Sequence, residues 1–370
     1  MAFDIMSTHL NKLIREAIKE WVRIDLKNTN PIVGGVSGAG VHYVSAELSF
    51  PGLTQDKIPI DCVVKFSDKR TFRIEQEKYD GDLTDKLKQY FINFSAITRQ
   101  VSDEFCMVME HLQGFQTLET LLYMDPIPVG LGELIKKVIS VLGLFRTESV
   151  GSTDTQSIRR RLNVFRLYLV DIAENMFQAL MSHPVVLKDL YGKNIVVNGL
   201  ECDSIKKSFN VICEKWKNFE SDSITLMHGD CHARNIMVNP RTLDLKFIDI
   251  DRLDKDGDHL YDFGELLADL EIFGYILGNR RFKILREGET KYSYSIDPPN
   301  VVNEASKMIM NALTFPNEKD KMRLELAKAR YLLSMIPNLS KYNTDKILGA
   351  YLESVRIMHY LVQHMLTSRC

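Results

Sequence analysis

The spacing of the apolar residues changes character near residue 110, and that change constrains the fold more than any other feature of the sequence. Before it, glycine-rich turns separate short apolar runs of strand type. After it, apolar residues recur mostly at helical spacing. "PIVGGVSGAGVHYVSAELSF" crowds glycines into a turn and then reads as a strand over 41–50, and "PIDCVVKFS" (59–67) is a second, β-branched strand. A polar helix-like stretch, "FRIEQEKYDGDLTDKL", follows, and "EFCMVMEHLQG" (104–114) reads as a buried strand running into a linker. In the second part, 131–145 is a helix candidate. Leu162, Phe165, Leu169, Ile172, Met176 and Leu180 keep helical period, as do Ile205, Phe209, Ile212, Trp216 and Phe219. A last helix carries Leu348, Tyr351, Leu352, Val355 and Val362. The pattern predicts an α+β chain in two lobes, a small strand-rich one over 1–109 and a larger helical one over 110–370.

Several classes of function are disfavoured at this stage. Lys and Arg number 47 against 49 Asp and Glu, a net charge of -2, which gives no footprint for nucleic acid or an anionic membrane. The cysteines at 62, 106, 202, 213, 231 and 370 show no CxxC pair, so reduced thiols in a cytoplasmic protein are expected. Leu10, Leu13, Ile14, Ala17, Ile18, Trp21 and Val22 recur at helical spacing between charges, which reads as an amphipathic helix rather than a secretion signal. The longest apolar run, near 138–145, is too short to span a bilayer.

Inside the helical half, "NIMVNPRTLDLKFIDID" (235–251) stands apart: two apolar strands flank the turn residues Asn239 and Pro240. Folded as a hairpin, it returns Asp249 toward Asn235, and Asp230 lies five residues before Asn235. A carboxylate with an amide oxygen is a hard donor set that suits Mg²⁺ better than zinc. A second carboxylate, free of metal, can accept the proton of a hydroxyl.

"HGDCHARN" followed by "FIDID" resembles the catalytic segment of the aminoglycoside phosphotransferase and choline kinase group, small-molecule kinases with a protein-kinase-like fold. The resemblance implies that Asp230 orients the acceptor hydroxyl and that Asn235 and Asp249 hold Mg²⁺ on the phosphates of ATP, or of GTP in its place. It implies that His228 anchors the loop and that Asp262, in "LYDFGELLADL", braces it. Such a kinase also needs a strand lysine held by a helix glutamate. Lys65 ends the apolar strand "DCVVKF", and the helix offers Glu75 and Glu77. Similarity of "IEQEK" to the family segment favours Glu77, whereas periodicity with Phe72 and Tyr79 favours Glu75. "MVMEHLQG" is similar to the interlobe hinge, where backbone groups near Glu110 and Leu112 would meet adenine. "GGVSGAGVH" lacks a G-x-G-x-x-G, and its phosphate contacts would run through Ser37 and nearby amides. The likeness covers about 30–275; "RRFKILREGETKYSYSID" (280–297), outside that span, reads as a hairpin with alternating aromatics.

The expected enzyme moves the γ-phosphoryl group of ATP to a hydroxyl of a small molecule, of aminoglycoside, amino-alcohol or sugar-like type. Asp254, Asp256 and Asp258 would bias the choice toward a cationic acceptor. A protein kinase ranks below this, because only twelve residues separate Asp249 from Asp262 and no A-P-E follows. A nucleotide-binding pseudokinase conflicts with Lys65, Asp230, Asn235 and Asp249 all being in place. A metal hydrolase built on His228, Cys231 and His232 lacks further ligands at metal spacing.

Overall fold

A computed structural model describes residues 23–31, 40–49, 58–67, 69–101, 104–124, 130–147, 165–219, 224–274, 276, 282–315, 317–341 and 344–367. The N-terminal helix expected over 10–22 and the glycine loop with Ser37 lie outside them. The fold is α+β, and the chain divides into two compact units: Met1–Phe115 with Lys246–Asp251, and Gln116–Leu245 with Arg252–Cys370.

The first unit is built on five antiparallel strands, β1 (Arg23–Pro31), β2 (Gly40–Ser49), β3 (Ile58–Ser67), β4 (Phe94–Val101) and β5 (Glu104–Glu110), in the order β1-β2-β3-β5-β4. Strand alternation sets what β3 presents. Val64 is buried on one face, while Val63 and Lys65 take the other. The register places Lys65 between Val41 of β2 and Met107 of β5, so both neighbouring strands flank it. Helix α1 (Lys69–Gly81) packs Phe72 against Ile92, Met107 and Met109, with Val63, Leu112 and Ile248 around them. The stretch Lys246–Asp251 is tied into this unit by its backbone. Phe247 N–H donates to Tyr90 O at 2.7 Å, Ile92 N–H donates to Phe247 O at 3.1 Å, and the rings of Phe91 and Phe247 lie 5.6 Å apart.

The second unit is mainly helical. Its central pair is α4 (His259–Ala268) and α5 (Glu318–Met335), flanked by α2 (Leu131–Thr147), α3 (Asp171–Ser182) and the long α6 (Thr344–Thr367). A Cβ on Gly264 of α4 would stand 2.4 Å from Ala327 Cβ and 2.9 Å from Leu324 O of α5, so the two helices touch backbone to backbone there. Strand β6 (Thr225–Met227) leads into the 228–235 loop and pairs with β8 (Asp254–Gly257). After the loop comes β7 (Ile236–Val238), and the expected turn closes with Asn239 N–H donating to Asp244 O at 2.9 Å. The expected hairpin at 280–297 forms as β9 (Phe282–Arg286) against β10 (Lys291–Ile296). Among the described residues, no helix is long and apolar enough to cross a membrane.

Candidate active site

In the first unit, Lys65 Nζ lies 2.6 Å from Glu75 Oε1 and 2.8 Å from Asp249 Oδ1, although Asp249 is 184 residues away in sequence. The glutamate is therefore Glu75 and not Glu77. The reason is helical period: Phe72, Glu75 and Tyr79 share one face of α1, where Glu75 is only 1% exposed, whereas Glu77 falls on the solvent side. Burial alone would lower the Lys65 pKa, but the carboxylates of Asp249 and Glu75 outweigh it and hold the ammonium charged. Burial pushes the Glu75 carboxyl up, with Lys65 pulling against it. Asp249 sits at φ 64°, a left-handed backbone that aspartate tolerates better than most residues.

Of the two hinge residues, Glu110 donates its N–H to Asn93 O at 3.2 Å, and its carboxylate lies 3.2 Å from Lys246 Nζ. Leu112 O accepts from Phe115 N at 3.1 Å, and the Leu112 side chain joins the apolar cluster beside Lys65. Ser37 lies outside the described residues.

In the second unit, the 228–235 loop is held by its backbone amides. Asp262 accepts from His228 N at 2.7 Å and from Gly229 N at 2.9 Å. Glu265 accepts from Cys231 N at 2.8 Å, and Asp269 accepts from Ala233 N at 3.0 Å. The carboxylates stand at i, i+3 and i+7, on one helical face. Only Asp262 was expected from the sequence. Glu265 and Asp269 carried a readable signal nonetheless: they are acids inside the apolar pattern "LYDFGELLADLEIF", and buried acids must be partnered. His228 is fully buried and accepts from Asp230 N through Nδ1 at 3.3 Å, within the loop itself.

Asn235 Nδ2 donates to Asp230 O at 2.9 Å and to Asp230 Oδ2 at 3.0 Å. His232 Nε2 lies 3.7 Å from the same Oδ2. Burial would raise the Asp230 pKa, but His232, Arg252, His228 and Arg330 outweigh it and leave the carboxyl below its ordinary value. Asp262, in contrast, is pushed up to about 7 by burial, with the Gly229 and His228 amides opposing. Cys231 is fully buried and its thiol is pushed well above the ordinary range by that burial, which removes it as a nucleophile at neutral pH.

Asn235 belongs to the helical unit and Asp249 to the strand-rich one. With its nitrogen spent on Asp230, Asn235 keeps an amide oxygen, and Asp249, in the other unit, carries a carboxylate; each by itself is a hard oxygen donor of the type Mg²⁺ takes. No group of three or more His, Cys, Asp or Glu that could hold a metal occurs among the described residues. Two of the three acids expected to attract a cation are paired within the unit: Asp254 with Arg166 at 2.5 Å, and buried Asp258 with Arg323 Nε at 2.7 Å and the Tyr168 hydroxyl at 3.0 Å.

No family model matches the chain, and no curated protein matches it. Solved structures that align with it include an ethanolamine kinase of Plasmodium vivax, at 9% identity and TM-score 0.46 over 92% of this chain and 82% of that one. An aminoglycoside phosphotransferase of Streptomyces rimosus aligns at 12% identity and TM-score 0.46, over 88% and 98%. A microcompartment-associated aminopropanol kinase aligns at 12% identity and TM-score 0.43, over 96% and 98%.

Proposed function

We propose that this chain is an ATP- and Mg²⁺-dependent phosphotransferase whose acceptor is a hydroxyl of a small molecule. The observation that carries the reading is the hold on Lys65. A buried strand lysine, gripped by a helix glutamate and met by an aspartate from a distant segment, is the arrangement that grips nucleotide phosphates in kinase chemistry. The loop 228–235 adds a carboxylate kept ionised and fixed through its backbone.

In this reading Lys65 binds the α- and β-phosphates and Glu75 keeps it aimed. Asn235 and Asp249 would hold Mg²⁺, which neutralises charge on the β- and γ-phosphoryl oxygens when bound. Leu112, Val63, Ile248 and Met109 form an apolar patch suited to one face of a purine. Asp230 accepts a hydrogen bond from the acceptor hydroxyl, orients its oxygen for in-line attack on the γ-phosphorus, and takes the proton as the new P–O bond forms. A carboxyl with a lowered pKa suits orientation more than early proton removal, which agrees with a loose transition state that needs little base strength. A small acceptor is favoured over a protein because only twelve residues separate Asp249 from Asp262, and four of these form β8.

The test is ATP turnover screened over small hydroxylated compounds, with mass detection of the phosphorylated product and Asp230→Asn as control. A loss of about 10²–10⁴ in rate with Mg·ATP affinity retained is expected. Transfer at the wild-type rate by Asp230→Asn would remove the assigned role. Stoichiometric label on a protein hydroxyl, with none on any metabolite, would overturn the small-molecule reading.

A further inference from the structure

We propose that Arg330 and Tyr331 of α5 are positioning residues for phosphoryl transfer, acting on the catalytic loop through Glu265 and Asp269. This rests on the phosphotransferase reading above. The chain of contacts has three layers, all within the helical unit. Cys231 N–H and Ala233 N–H are taken by Glu265 and Asp269, respectively. Behind them, Arg330 Nη1 lies 2.8 Å from Glu265 Oε1, and the Tyr331 hydroxyl donates to Asp269 Oδ1 at 3.0 Å. All four side chains are almost fully buried.

The geometry follows from the helix contact at Gly264. Backbone-to-backbone approach of α4 and α5 at Gly264 goes with two successive residues of α5 meeting two carboxylates one turn apart, Glu265 in α4 and Asp269 just past its end. A carboxylate has two oxygens, and here each acid divides them: Glu265 gives Oε2 to the loop and Oε1 to Arg330, and Asp269 gives Oδ2 to the loop and Oδ1 to Tyr331. Neither acid can rotate toward the loop or away from it without breaking a bond to α5. The loop position is thereby referred to α5, two layers from any reacting atom. Cys231 and Ala233 are both fully buried, so their small side chains let the amides reach the acids. Asp230 stands between an amide pair held by Asp262 and one held by Glu265, and its carboxylate inherits the position of both.

The test uses the full chain and three variants: Tyr331→Phe, Glu265→Gln and Glu265→Ala. Tyr331→Phe removes one hydroxyl and keeps the ring, so the fold survives. It should lower kcat by about tenfold, an effect expected of a sub-ångström displacement of a reacting group, with KM for ATP within about twofold, both measured at a temperature where the variant is fully folded. Glu265→Gln keeps an oxygen for Cys231 N–H and should retain more kcat than Glu265→Ala. A merely structural contact would lower the midpoint and leave kcat of the folded enzyme unchanged. Wild-type kcat in Tyr331→Phe, or equal losses in the Gln and Ala variants, would overturn the proposal. Should the wild-type chain phosphorylate no acceptor, the phosphotransferase reading fails and amide hydrogen exchange decides this one. Faster exchange at Ala233 in Tyr331→Phe supports the hold of α5 on the loop, and unchanged exchange overturns it.

Discussion

Replacing Gly229 by alanine isolates how the loop is seated. Gly229 has φ +81°, and a Cβ there would stand 2.4 Å from Arg252 O, 2.9 Å from Arg252 Cβ and 3.1 Å from Arg252 C. Two penalties add. An L-residue in left-handed backbone costs about 1–2 kcal/mol. Overpacking a site that cannot yield costs about 1–3 kcal/mol, and the nearest obstacle here is backbone, which no rotamer change removes. Gly199 supplies the control, because it has the same φ of +81° with nothing within 4 Å of its Cβ position. Gly199→Ala should therefore lose only the backbone term, about 1–2 kcal/mol, and Gly229→Ala about 2–5 kcal/mol. Urea unfolding of both variants and wild type reads the difference. Steady-state ATP turnover, at a temperature where all three are folded, reads the function. The Gly229 amide is also one of the two held by Asp262, so a shift there carries Asp230 with it. A rate loss on the order of 10² per ångström is expected for Gly229→Ala and none for Gly199→Ala. Equal stabilities for the two variants would refute the close approach to Arg252. A destabilised Gly229→Ala with full turnover would refute the link from that contact to the base.

Three further outcomes follow from the same geometry. Glu75→Gln should raise KM for ATP by about tenfold or more, the loss of one charge-assisted hydrogen bond of roughly 1.5–3 kcal/mol, while Glu77→Gln stays at wild type; the reverse order in a kinetic comparison would restore Glu77 to the role. Asp249→Ala should abolish Mg²⁺-dependent turnover, whereas Asp251→Ala should leave it measurable; an inactive Asp251 variant beside an active Asp249 one would reverse the metal assignment. Asp262 has its folded pKa raised to about 7 from 3.8, so it contributes stability that is present below about pH 4 and lost as pH rises through about 7. The stability advantage of wild type over Asp262→Asn should therefore shrink between pH 4 and 7, and an advantage that grows over that range in urea titrations would show the sign to be wrong.

The α+β character was legible because strand and helix leave different periods in the apolar residues, and β2, β3, β5 and the 280–297 hairpin fall where those periods place them. Strands β1 and β4 were not. "RIDLKNTNP" is too polar to read as a strand, and both it and "FSAITRQV" lie at sheet edges, where pairing on one side alone relaxes the demand for apolar residues. Similarity of "IEQEK" to the family segment points to Glu77, but helical phase decides the partner of Lys65, and it is Glu75. Phe72, Glu75 and Tyr79 already marked the buried face, and phase is what decides which side chain reaches a sheet. The partners of Glu265 and Asp269 could not be read at all, since Arg330 and Tyr331 lie more than sixty residues downstream and nothing local joins them.

The way the loop is held also explains which of its positions are informative in sequence. Six residues, from His228 to Ala233, are fixed largely through main-chain N–H groups, and any residue except proline carries that group. Side-chain identity matters only where another demand is added. Gly229 must leave room for Arg252, His228 must accept from Asp230 N, and Asn235 must donate to Asp230. Cys231 and Ala233 need only be small enough to stay buried beneath the carboxylates. The acids that grip those amides lie in a different segment, on α4 and just past its end, and Gly264 sets how closely α4 approaches α5. A motif written from the loop alone, H-G-D-x-x-x-x-N, therefore records the loop's own side chains and omits the acids that hold its amides. The omitted part is better sought as a helix with carboxylates at i, i+3 and i+7 in an otherwise apolar pattern, which "DFGELLAD" satisfies at 262, 265 and 269.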